Sequence, residues 1–70
     1  MIKIWVDQFL IFIKHPNKLP YYLDSSNFQT VLIPRNYWKI VHPILTKKGF
    51  IISRVQLIEG EAYDEWVCET

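Results

Sequence analysis

The alternation of apolar and polar residues opens the chain. Ile2, Ile4 and Val6 point one way and Lys3, Trp5 and Asp7 the other, the two-residue period of a half-buried strand. Phe9 to Ile13 is continuously apolar. Periodicity alone leaves open whether it extends that strand, pairs back on it or makes a helical turn. Asp7-Gln8 offers a poor two-residue hairpin turn, lacking the Gly or Asn that positive φ favours. His15-Pro16-Asn17-Lys18-Leu19-Pro20 is turn chemistry, and Tyr21 to Asn27 reads as an irregular connection rich in turn formers.

The middle of the chain carries the clearest pattern. Phe28 to Ile33 reads as a strand that Pro34 ends, with Pro34 suited to the first position of a helix over Arg35 to Lys48. Tyr37, Ile40, Val41, Ile44 and Leu45 share one helical face. Lys47 and Lys48 complement the helix dipole, and Gly49 can close the helix in the left-handed conformation. Pro43 lies inside this helix without changing the phase of the apolar face, which predicts one kinked helix rather than two pieces. Beyond Gly49, Ile51, Ser53, Val55 and Leu57 alternate with Ile52, Arg54, Gln56 and Ile58 along a strand. Glu59-Gly60-Glu61 is a turn, and Ala62 to Glu69 reads as a last strand. Its Ala62, Trp66 and Cys68 join Val55 and Leu57 on one face, and Tyr63, Glu65 and Val67 join Arg54 and Gln56 on the other. The expected fold is one α+β domain over residues 1–70, a small antiparallel-type sheet of three to four strands packed by one kinked helix, in the order β-(β)-β-α-β-(β).

Composition changes this picture in three ways. Seventy residues that are half apolar and 16% aromatic carry more ring surface than a thin core hides, so part of it is expected to meet another protein. Cys68 is the single cysteine and excludes an internal disulfide; with Met1 to Ile13 lacking a cleavage site and too short to cross a bilayer, the expectation is an intracellular chain without membrane insertion. The net charge of +1 hides a split. Residues 1–58 hold all eight Lys and Arg against Asp7 and Asp24, a balance of +6; residues 59–70 hold Glu59, Glu61, Asp64, Glu65 and Glu69 and no base, a balance of −5. Such a split either orients a molecule on a partner or marks a solvated tail.

Catalytic chemistry finds little purchase. His15, His42 and Cys68 have no short metal-ligand spacing, and nothing pairs a Cys with a His as nucleophile and base. Asp64 and Glu65 are neighbours that a strand sends to opposite faces. Two glycines make no phosphate loop. The expectation is a protein that is not an enzyme. Two binding alternatives remain: Lys14, His15 and Lys18 beside Tyr21 and Tyr22 could stack single-stranded nucleic acid, and the acidic hairpin could dock on a basic enzyme as an inhibitor.

Pro34, Trp38, Gly49, Ile52, Val55, Leu57 and Gly60 fall without a gap into one pattern: an aromatic-bearing strand ending at proline, a tryptophan four positions on, a glycine closing the helix, an apolar strand and a further glycine. Phe28 supplies the strand aromatic, Arg54 a basic position, and Ile2-Lys3-Ile4 an opening strand. In this the chain resembles the small capping linkers of the phycobilisome, the light-harvesting antenna of cyanobacteria and red-algal plastids, over residues 1 to about 60, with 61–70 a divergent C-terminal segment. The resemblance implies a non-enzymatic linker in the central cavity of a phycobiliprotein trimer or hexamer. It would contact the alpha and mainly beta subunits, cap or stabilise the stack and tune energy transfer. It would lie at the cytoplasmic or stromal face of the thylakoid, peripherally, as part of the antenna. Such a linker binds no cofactor of its own, the bilins belonging to its partners, and no nucleic acid. The expected contacts are Phe9, Phe12, Tyr21, Tyr22, Arg35, Trp38, Lys39 and Arg54.

Overall fold

A computed structural model describes residues 1–24 and 30–68. Strands β1 (Ile2–Val6) and β2 (Phe9–Ile13) form a hairpin, followed by a 3-10 turn (Pro16–Lys18) and helix α1 (Leu19–Asp24). Strand β3 (Thr30–Pro34) leads through a second 3-10 turn (Arg35–Tyr37) into helix α2 (Trp38–Lys47), and β4 (Phe50–Ile58) and β5 (Glu61–Cys68) form a second hairpin. The five strands make one antiparallel sheet in the order β2-β1-β3-β5-β4. The α+β class holds, but the sheet has five strands rather than three to four, and α1 occupies the first part of the expected irregular connection. The rest of that connection, and Phe28 with Gln29 at the expected start of β3, lie outside the described residues.

Phe9 to Ile13 pairs back on β1 after all, with Val6 opposite Phe9 across the Asp7-Gln8 turn. Asp7 takes φ +52, which a short polar side chain tolerates better than most. β3 anchors the turn: the Asp7 amide donates to the Thr30 carbonyl at 2.7 Å, and the Thr30 amide donates to the Asp7 carboxylate at 2.9 Å. A long-range clamp thus replaces the glycine that a local reading demands.

Pro34 closes β3 instead of opening a helix. Its ψ of 135° is extended, and it pairs with Tyr63 on one side only, because the β1–β3 ladder covers just Trp5–Leu32 and Val6–Val31. Its missing N–H therefore costs no ladder bond. The α-helix starts at Trp38, and it runs through Pro43 to Lys47. Both Pro43 and Lys39 are exposed, so the carbonyl that loses its partner at Pro43 lies on the water side. Thr46 donates its hydroxyl to the His42 carbonyl at 2.7 Å.

The second hairpin closes with Glu59 at φ +52 and Gly60 at φ +80, the two positive values a type I′ turn requires. Its faces follow the expected pairing near the tip: Leu57 opposes Ala62 and Val55 opposes Asp64, while Gln56 opposes Tyr63 and Arg54 opposes Glu65. The ladder then slips between Ile52 and Arg54, leaving Ser53 as an extra residue. Ile52 therefore opposes Trp66 on the face of Val55, and Ile51 opposes Val67 on the face of Arg54, the reverse of strict alternation.

The core lies on one side of the sheet. Ile2, Ile4, Val6, Ile13, Val31, Ile33, Phe50 and Trp66 meet Val41 and Leu45 of α2 and Leu19 and Leu23 of α1. Among the described residues no helix is long and apolar enough to cross a membrane.

Candidate protein-binding surface

Helix α2 buries Val41 and Leu45, which leaves Trp38 and His42, one turn apart, on a single flank. Their rings sit 5.1 Å apart, and His42 meets the buried Trp66 edge-on at 6.0 Å. Trp66 lies opposite Ile52 on the outermost strand. Beyond the start of β4, where Phe50 is buried, the helix layer ends. Ile52, Val55 and Leu57 point to the helix side but remain 38%, 47% and 76% exposed. Trp38, linked to Ile52 through His42 and Trp66, is 38% exposed. An apolar strip thus runs from the start of α2 along β4 towards its tip.

Arg35 borders this strip. Its guanidinium donates to the Asp64 carboxylate at 2.7 Å, with Asp64 buried and Arg35 largely in water. The second Asp64 oxygen has no partner among the described residues. Lys39 follows Trp38 and is exposed. Arg35, Trp38 and Lys39, three of the expected contacts, therefore lie together around the start of α2, where Arg35 reaches Asp64 opposite Val55 of β4. Strict alternation puts Ile52 on the opposite face from Val55 and Leu57; the irregularity at Ser53 brings the three onto one face.

The other expected contacts lie elsewhere. Arg54 is on the opposite sheet face, donating to Glu65 at 3.2 Å, and Gln56 donates to the same carboxylate at 2.7 Å. Phe9 and Phe12 are exposed on β2, at the far edge of the sheet. Tyr21 and Tyr22 are on α1, where the Lys18 ammonium lies 5.4 Å from the Tyr21 ring centre. That basic loop thus directs one of its cations onto its own aromatic.

The sheet face away from the helices forms an open hollow of about 680 Å³, lined among others by Trp5, Leu32, Gln56, Ile58 and Glu65. The buried indole N–H of Trp5 has no partner among the described residues. Lys3 on β1 reaches Glu59 at the tip of the second hairpin at 3.6 Å. With the pairs Arg35–Asp64 and Arg54–Glu65, this contact folds the acidic segment back onto the basic body. The charge split of the sequence is largely internal.

Tyr63 is buried near this acidic tip. Burial, then a hydrogen bond and charge from Glu61 and the charge of Glu59, push its phenol above the ordinary value of 10.0. The folded state therefore holds this proton more tightly than the unfolded chain. The resulting stability is complete below the unfolded pKa and is lost as pH rises through the higher folded value. Urea titrations from pH 8 to about 11.5 are expected to show stability falling above the ordinary tyrosine pKa, with a shallower fall in Tyr63→Phe. Parallel profiles would contradict this.

Among the described residues no group of three or more His, Cys, Asp or Glu is placed to hold a metal ion. No family model matches the chain, and neither a curated protein nor a solved structure matches it. The likeness to capping linkers therefore stands on the residues alone.

Proposed function

We propose that this protein is a non-enzymatic interaction module that seats the strip of Trp38, Ile52, Val55 and Leu57 against a larger protein. The observation that carries this reading is the exposure of that strip: apolar side chains from two elements, left in water beside a packed core, with a tryptophan at the helix end. Arg35 and Lys39 at its border favour a partner with acidic groups around an apolar centre. A chain this small also gains folding stability from any partner that binds only the folded form.

The narrower reading comes from the pattern Pro34, Trp38, Gly49, Ile52, Val55, Leu57 and Gly60. It makes the partner a ring of phycobiliprotein subunits, contacted mainly through the beta type, and the chain a plug that caps or stabilises the stack at the thylakoid surface and tunes energy transfer. Four residues of that pattern, Trp38, Ile52, Val55 and Leu57, make up the exposed strip. The test is mixing purified chain with phycobiliprotein trimers, followed by sedimentation and absorption spectroscopy. Co-sedimentation with a shifted bilin band is expected, and Trp38→Ala should weaken it by about 2 kcal/mol, roughly 30-fold. Absence of binding at micromolar concentrations would reject the biliprotein partner.

A further inference from the structure

We infer that two copies of this chain pair through β2, antiparallel about a two-fold axis, joining their sheets into one. The inference goes beyond the proposed function and does not depend on it. β2 is one edge of the sheet, and it reads Phe-Leu-Ile-Phe-Ile, with no charge, proline or bulge to discourage pairing. Its outer residues Phe9 and Phe12 are 74% and 53% exposed. The opposite edge, β4, is built differently: it carries the irregularity at Ser53 and the charged Arg54. One edge is protected against strand addition and the other is not. Pairing two β2 edges uses up both unprotected edges, so the assembly closes at two copies and does not extend.

The register follows from the hairpin. A two-residue loop makes Val6–Phe9 the hydrogen-bonded closing pair, so Phe9, Ile11 and Ile13 direct their backbone groups to β1. Leu10 and Phe12 then direct theirs outward. Centring the two-fold on Ile11 places Leu10 against Phe12 of the second copy twice over, with their outward amides and carbonyls matched. The same register sets Phe9 against Ile13 at both ends, where Asp7 and Gln8 turn away into the hairpin loop. Apolar residues meet apolar residues over the whole strand. Shifting the centre to Leu10 or Phe12 instead sets Phe12 against Gln8 or Leu10 against Lys14. The strip on α2 and β4 lies at the other end of the sheet, so the pair carries two such strips facing away from the joint.

Sedimentation equilibrium of the full chain tests this, with an expected mass of twice 8.4 kDa at tens of micromolar, dissociating on dilution because the joint is small. Phe12→Pro removes only an outward amide, and Phe12→Lys sets a cation into the joint; both should leave the circular dichroism of the monomer intact and abolish the dimer. Ile11→Cys in a Cys68→Ser background should form a disulfide-linked dimer on mild oxidation, at several times the yield of Leu10→Cys in the same background. A monomer at all concentrations, a dimer unaffected by both Phe12 variants, open-ended larger species, or equal cross-linking from both cysteine positions would overturn the inference.

Discussion

Trp66→Ala is expected to leave the chain largely unfolded at 25 °C, or folded only marginally. Trp66 is 1% exposed and contributes the largest side chain of the core, joining the β4–β5 hairpin to His42 of α2. Truncating a buried tryptophan costs about 3–5 kcal/mol. At roughly 0.05–0.15 kcal/mol per residue, a chain of this size has only about 4–10 kcal/mol to lose. Urea unfolding followed by far-ultraviolet circular dichroism measures the effect, and a midpoint close to wild type would show that β5 is not part of the core. Trp66→Phe keeps most of the volume and should retain a cooperative transition.

The second large effect is expected at Arg35. Asp64 is 1% exposed between Ile33 and Val55, and one of its oxygens depends on the Arg35 guanidinium. Breaking a buried ion pair by removing one partner costs about 3–5 kcal/mol when both charges are buried. Arg35 is largely in water, which screens the pair, so Arg35→Ala is expected to cost about 2–3 kcal/mol. The loss arises mainly from stranding the carboxylate. Adding Asp64→Leu to Arg35→Ala should therefore recover part of it, and the Arg35→Ala cost measured in an Asp64→Leu background should be small. Equal costs in both backgrounds would mean that Arg35 acts independently of Asp64.

These two residues also show where the sequence was legible. The alternation of Ile2, Ile4 and Val6 reports local burial and placed β1 correctly. Of the predicted helix face, Val41 and Leu45 are buried and Tyr37 and Ile44 pack against the core, but Ile40 is 52% exposed, beyond the reach of the sheet. The phase of the apolar face likewise carried α2 through Pro43. Asp64 could not be read this way. Its charge suggested water, and its partner lies 29 residues away beyond a turn. The Asp7-Gln8 hairpin failed for a similar reason, since the clamp that holds it comes from Thr30. Pro34 is compatible with both a strand end and a helix start, and only the short β1–β3 ladder decides between them. The last strand expected over Ala62 to Glu69 is β5 (Glu61–Cys68), but its place between β3 and β4 rests on pairing that no local pattern shows.

The candidate surface was half visible. Trp38 falls off the apolar face of its helix, which marks it from sequence, and the structure leaves it 38% exposed with its ring against His42. Ile52, Val55 and Leu57 look like ordinary strand residues. Their exposure depends on the helix layer covering β4 only at its start, where Phe50 is buried, a property of the layer rather than of any residue.

The account's central claim is that the strip of Trp38, Ile52, Val55 and Leu57 seats a larger protein. The most direct measurement is the native mass of the assembly that holds this chain in the cells that make it, for wild type and for a Trp38→Ala, Leu57→Lys variant. The account predicts that wild type travels with a much larger protein and that the folded variant is released from it. Wild type recovered only as the free chain or its own dimer, or a variant retained as firmly as wild type, would contradict it.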